Sequence, residues 1–126
     1  DETGGRNGGR AIVIENNSAA DIRGASQQFL FEGENQPRKL TITAWSRAQN
    51  ASGPDDAHYS VWVDATCSDG TVFNGHQARF SSGSHDWEQA TLVLEPPAPI
   101  RTMRLYLLFR YHTGKVWFDD VRMVAQ

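Results

Sequence analysis

The sequence predicts an all-β fold in which two antiparallel sheets pack face to face. Short apolar runs recur between clusters of Gly, Asn, Ser, Asp and Pro, and no stretch sustains a helical period over several turns. Short strands at this spacing favour a β-sandwich of the jelly-roll type. The run Pro96-Pro97-Ala98-Pro99 adds a third sign: it cannot pair as a central strand and reads as an extended crossover between sheets.

The opening segment, Asp1–Gly9, is rich in Gly and polar residues and needs an ion or another strand to pin it. Strands are expected at Ala11–Glu15 and Ala25–Phe31, followed by a turn at Gly33-Glu34-Asn35-Gln36-Pro37. Leu40–Arg47 alternates, with Leu40, Ile42 and Ala44 on one face and Thr41, Thr43, Trp45 and Arg47 on the other. After Ser52-Gly53-Pro54-Asp55-Asp56, the strand Tyr59–Cys67 sets Tyr59, Val61, Val63, Ala65 and Cys67 opposite His58, Ser60, Trp62, Asp64 and Thr66. The turn Ser68-Asp69-Gly70 follows that strand, and Gln77–Phe80 is the next one expected. Ser84-His85-Asp86 enters the strand Trp87–Leu94. In Thr102–Tyr111, Met103, Leu105, Leu107 and Phe109 read as core while Arg104, Tyr106, Leu108 and Arg110 point away. The turn His112-Thr113-Gly114 opens the final strand, Lys115–Val124. Trp87 and Trp117 are expected to pack in the core or at its edge.

Trp45, Trp62 and Tyr106 therefore sit where a half-buried strand should be polar. An aromatic side chain carries roughly 150–250 Å² of surface, so leaving it uncovered costs several kcal/mol at about 25 cal/mol per Å². Rings interleaved with Arg, Asp, His and Thr suit a sugar, which offers apolar C–H faces and hydroxyl rims. Burial of these rings under a loop or a second sheet is the structural alternative.

The chain has 126 residues, enough for one domain with a two-layer core but short for an enzyme with a deep pocket of its own. A net charge of −3 argues against a nucleic-acid partner. No apolar run is long enough for a membrane helix, and no secretory leader opens the chain, as expected of a processed or excised domain. The single cysteine, Cys67, falls on an apolar face and reads as core. Candidate acid–base pairs such as His85-Asp86, Asp55-Asp56 and Glu32 with Glu34 lack the geometry of two carboxyls facing across a cleft. His58, His76, His85 and His112 lack the spacing of a zinc site. No enzymatic activity is expected on these grounds. Asn16-Asn17-Ser18 and Asn50-Ala51-Ser52 match the N-glycosylation pattern.

Four stretches carry a resemblance: Gly9-Arg10-Ala11-Ile12-Val13-Ile14-Glu15-Asn16, Gly24-Ala25-Ser26-Gln27-Gln28, Leu40-Thr41-Ile42-Thr43-Ala44-Trp45-Ser46-Arg47-Ala48 and the closing Val116-Trp117-Phe118-Asp119-Asp120-Val121. In this order they resemble the jelly-roll carbohydrate-binding modules grouped around families 4, 9, 16 and 22, over nearly the whole chain. The resemblance implies a non-catalytic module that binds a polysaccharide or oligosaccharide on a concave, aromatic-lined sheet and targets an appended glycan-active enzyme to it. It implies a secreted or cell-surface setting. Trp45 matches a frequent sugar platform of such modules, and the penultimate strand points to Tyr106 and Arg110 in the same groove.

The expected site thus comprises Trp45, Trp62 and Tyr106 as platforms, with Arg47, Asp64, Arg104, Arg110 and His58 as polar contacts. The resemblance also implies a structural calcium held by Asp119, joined by backbone carbonyls and another carboxylate such as Glu2. The chain departs from the family pattern at its start, where an additional first strand is expected. Either Asp1–Gly9 replaces that strand, or its absence leaves an unpaired edge that invites dimerisation. The competing reading is a structural or adhesion sandwich whose exposed rings contact another protein domain.

Overall fold

The computed structural model describes residues 2–3, 5–6 and 10–125, the first two by backbone only. Among the described residues there are nine strands: β1 (Glu2–Thr3), β2 (Arg10–Asn16), β3 (Ile22–Leu30), β4 (Leu40–Ala51), β5 (Tyr59–Cys67), β6 (Val72–Arg79), β7 (Gly83–Leu94), β8 (Ile100–Arg110) and β9 (Gly114–Ala125). A 3₁₀ turn at Gly33–Asn35 lies between β3 and β4. The strands form a five-stranded sheet in the order β1-β2-β9-β4-β7 and a four-stranded sheet in the order β3-β8-β5-β6. Every pairing is antiparallel. The all-β sandwich expected from the sequence is the fold observed.

From β2 onward each successive strand changes sheet except at the β5–β6 hairpin. That hairpin turns at Gly70, whose φ of 88° is open to glycine at no steric cost. The proline run carries the chain from β7 to β8, across the sandwich, and its far end is tied by Ser68 N–H to Pro99 O (2.7 Å) and by Ile100 N–H to Pro37 O (2.9 Å).

Alternation decides what each strand buries. In β4, Leu40, Ile42, Ala44, Ser46 and Ala48 are buried, and Thr41, Thr43, Trp45 and Arg47 are half-buried on the outside. In β5, the inward set of Tyr59, Val61, Val63, Ala65 and Cys67 is likewise buried. Between the sheets the rings of Tyr59, Phe80, Phe109 and Phe118 meet at centroid distances of 5.1 to 6.0 Å. Such pairs add about 0.5–1.5 kcal/mol each beyond simple burial. The Tyr59 hydroxyl crosses to the other sheet, 2.5 Å from Ser46 Oγ, so the phenol is satisfied at the centre of the core.

The strands run further than their apolar runs suggest. β4 continues past Arg47 to Ala51 through two register shifts against β7, with Asn50 at a φ of 57°. β6 starts at Val72 because Gly75, at a φ of 78°, accommodates an irregularity that breaks the alternation. β3 lies on an edge and is exposed at most positions on both faces, so it shows no clean period. Part of the opening segment does supply a short strand: Glu2 pairs with Ala11 and Thr3 with Arg10.

Candidate functional site

The four-stranded sheet brings most of the expected residues together on its outer face. Trp62 of β5 lies directly opposite Tyr106 of β8, and Asp64 lies opposite Arg104 in the next outward-facing row. The same rows continue onto β3, where Ser26 pairs with Tyr106 and Gln28 with Arg104, and onto β6, where Gln77 pairs with Trp62. Both rings are half-buried. The Cβ atoms of residues opposite one another on one face lie about 5 Å apart, so Trp62 and Tyr106 are cross-strand neighbours on the same surface.

The Trp62 indole is held in place. Its Nε1–H donates to Asp64 Oδ1 at 2.8 Å, and the same oxygen accepts from Gly75 N–H at 2.9 Å. A Cβ on Gly75 would sit 3.9 Å from Trp62 Cζ2, so the glycine forms part of the wall beside the ring. Asp64 thus acts first as a positioning residue for Trp62. Arg104 donates to Ser26 Oγ (3.3 Å) and Gln28 Oε1 (3.2 Å), and a depression beside it is lined by Gln28, Asp64, Thr66, Asn74, Thr102 and Arg104. The arrangement offers two aromatic platforms flanked by amides, a carboxylate and a guanidinium, the complement of a sugar with its apolar faces and hydroxyl rim.

At one end of this face Arg110 Nε–H donates to His58 Nδ1 at 3.0 Å, and its guanidinium lies 5.7 Å from the centroid of the Trp62 ring. The His58 ring packs edge-on against Tyr111, an exposed aromatic that the sequence reading had not singled out. Gln28, Ser26 and Asn74 were also missed. No alternation marks their side chains as outward-facing, because β3 lacks a period and β6 is irregular.

Trp45 and Arg47 do not join this group. β4 belongs to the five-stranded sheet, so both residues lie on the opposite outer face of the sandwich from Trp62 and Tyr106. The Trp45 ring is also covered: the Arg6 guanidinium stacks 3.6 Å from its centroid. Trp117 is buried, as expected, with Arg47 and Lys115 stacked on its ring on that outer face.

Asp119, the expected calcium ligand, pairs with Trp45 across the sheet. Its Oδ2 accepts from Arg6 N–H and its Oδ1 from Asp120 N–H, both at 2.8 Å, while the Arg6 guanidinium bonds Asp120 Oδ2 at 2.8 Å. The side chain of Glu2, the second expected ligand, lies outside the described residues. Among the described residues no group of three or more His, Cys, Asp or Glu side chains converges. By themselves these residues do not fit calcium, which needs six to eight oxygens, and the cation beside the two carboxylates is Arg6.

The loop end of the sandwich holds polar groups of structural character. His112 is buried, its ring nitrogens hydrogen-bonded to the Ser52 carbonyl and, at 2.8 Å, to Asp56 Oδ1. Burial pushes the Asp56 carboxyl up, but the hydrogen bonds from His112 and from His58 N–H, with the nearby imidazole charge, outweigh it and leave the group below its ordinary value. Asn16 is buried and its Nδ2 donates to Phe109 O (2.8 Å) and His112 O (3.1 Å). It is therefore not available to carry a glycan, unlike the exposed Asn50.

No family model matches the chain. Curated relatives include the tRNA3(Ser)-specific nuclease WapA of Bacillus spizizenii and the tRNA nuclease WapA of Bacillus subtilis strain 168, each 30% identical over 98% of this chain. The chain spans 5% of the length of either. The expectation of no enzymatic activity is corrected by these relatives, which are named nucleases. Among solved structures, the N-terminal family 22 carbohydrate-binding module and catalytic module of Clostridium thermocellum xylanase 10B, complexed with xylohexaose, superposes with a TM-score of 0.70 at 18% identity, covering 100% of this chain and 23% of that one. A family 16 carbohydrate-binding module superposes with a TM-score of 0.59 at 15% identity, covering 93% and 77%. The enzymatically active domain of tailspike protein 4 from bacteriophage CBA120 gives 0.68 at 9% identity, covering 92% and 15%. With the sheet order and the core described above, these likenesses identify the fold of this chain as the β-sandwich of the carbohydrate-binding modules.

Proposed function

We propose that the chain is the saccharide-binding part of a larger protein with nuclease activity, and that it holds a polysaccharide against the outer face of its four-stranded sheet. The observation that carries this reading is the register pairing of Trp62 with Tyr106, with the Trp62 ring oriented by Asp64 and bordered by the Arg104 depression. Two rings side by side on an open sheet face, each only half-covered, offer stacking area for consecutive sugar residues. Gln28, Asn74, Asp64 and Arg104 supply donors and acceptors at the edges. On an open face the affinity should be modest, roughly micromolar to millimolar, or about −8 to −4 kcal/mol. A polysaccharide target places the protein outside the cell or at its surface.

The test is affinity electrophoresis of the chain through gels containing, in turn, xylan, β-glucan, mannan, alginate and pectin, with Trp62→Ala as control. Retardation in one gel that the control loses supports the reading and names the polysaccharide. Migration unchanged in every gel overturns it and favours a sandwich that contacts another protein domain.

A further inference from the structure

The outer face of the five-stranded sheet carries a second aromatic surface that the proposal above leaves unused. Across β2, β9 and β4 the register places Val13, Trp117 and Arg47 side by side, and Glu15, Lys115 and Gln49 in the next outward row. The Arg47 guanidinium lies 3.6 Å from the centroid of the Trp117 ring and 5.7 Å from that of Trp87 on β7, and Lys115 Nζ lies 5.0 Å from Trp117.

Arg47 and Lys115 are both half-buried, and neither has a carboxylate within ion-pairing distance among the described residues. Arg6, the other cation stacked on an indole of this face, differs, because Asp120 neutralises it. A cation partly withdrawn from water and left unpaired gains much from an incoming oxyanion. Beside Lys115 lies a depression lined by Glu15, Asn17, Gln49, Asn50 and Thr113. An indole, two cations without a carboxylate partner and the Gln49 and Asn50 amides on one surface match a sugar that carries its own negative charge.

We propose that this face is a second saccharide site, selective for carboxylate-bearing polysaccharides built of uronate residues. A uronate carries its carboxylate at the edge of the ring, so one residue can stack on Trp87 and pair with the guanidinium beside it, in the bidentate geometry that arginine favours. The site is independent of the Trp62–Tyr106 face, which lies on the other side of the sandwich. A nucleic-acid strand fits less well, because its evenly spaced phosphates ask for more than two unpaired cations, and the chain's net charge is −3.

The experiment measures binding of the folded chain to polygalacturonate, to the same polymer with its carboxylates methyl-esterified, and to poly(U), at low and moderate salt. The variants are Lys115→Gln, Arg47→Gln and Glu15→Gln, each checked for fold by thermal unfolding. Polygalacturonate should bind and the esterified polymer should not. Lys115→Gln and Arg47→Gln should each weaken binding by about tenfold, the loss expected for one charge-assisted hydrogen bond. Glu15→Gln, which removes an exposed acid from the Lys115 row without touching the core, should strengthen it. Arg47 packs on Trp117, so if Arg47→Gln unfolds, Lys115→Gln and Glu15→Gln decide the matter. Absence of polygalacturonate binding, indifference to the charge variants, or tighter binding of poly(U) with the same dependence overturns the proposal.

Discussion

Removing the Trp62 indole is the sharpest perturbation of the proposed saccharide face. The ring is half-buried, its edge nitrogen fixed 2.8 Å from Asp64 Oδ1, and its neighbour across the sheet is Tyr106. A sugar stacked on its free face would cover about 60–80 Å² of apolar surface, worth roughly 1.5–2 kcal/mol at 25 cal/mol per Å², or about 10- to 30-fold in affinity. Trp62→Ala should therefore lose most of the retardation in the gel that retards the parent chain. Because the indole lies outside the core, its thermal midpoint should fall by only about a few degrees. Asp64→Ala tests the positioning role separately. It leaves the ring in place but frees it to rotate, and immobilising one side chain costs about 0.5–1.5 kcal/mol, so binding should weaken by roughly 2- to 10-fold. Isothermal titration with the oligosaccharide of the retarding polymer measures both variants. Unchanged affinity in Trp62→Ala would refute the assignment of this face, and global unfolding of that variant would reassign the ring to a structural role.

Four further outcomes follow from the core and the loops. Tyr59→Phe strands the buried Ser46 hydroxyl and should cost about 1–2 kcal/mol in urea unfolding. Burial also pushes the Tyr59 phenol above its ordinary range, so the stability it contributes is fully present below about pH 10 and is lost as pH rises beyond it. An ultraviolet titration should show one tyrosine ionising only with alkaline unfolding. Asp56 is held below its ordinary value, so its contribution is present above about pH 4 and disappears as pH falls through its folded value. Acid unfolding of Asp56→Asn should accordingly lack part of the parent's loss of stability in that window. Expression through a eukaryotic secretory pathway, followed by peptide mapping, should find glycan on Asn50 and none on Asn16, whose amide is buried and bonded to Phe109 O and His112 O.

Much of the fold was legible because side-chain alternation is local. The inward sets of β4, β5 and β8 are the ones their sequences announce, and the crossover role of the proline run follows from what proline denies the backbone. Strand ends were less legible. β4 and β6 extend through irregularities at Asn50 and Gly75, where positive φ lets pairing continue after the apolar alternation has stopped.

Trp45, Trp62 and Tyr106 show where the local signal ends. Alternation put all three on outward faces, and all three are there. An outward position is a property of one strand, whereas sharing a face requires two strands in the same sheet. β5 and β8 pair with each other, while β4 pairs with β7 and β9, so Trp62 meets Tyr106 and Trp45 lies across the sandwich. The cover over Trp45 is likewise tertiary, since Arg6 reaches it from a segment more than a hundred residues away from the Asp119 and Asp120 carboxylates that hold it. By itself the sequence determined the β class and the inside and outside of its regular strands, because those depend on a two-residue period. Only the pairing order of the sheets, set by contacts between distant strands, decided which aromatic residues form a common surface.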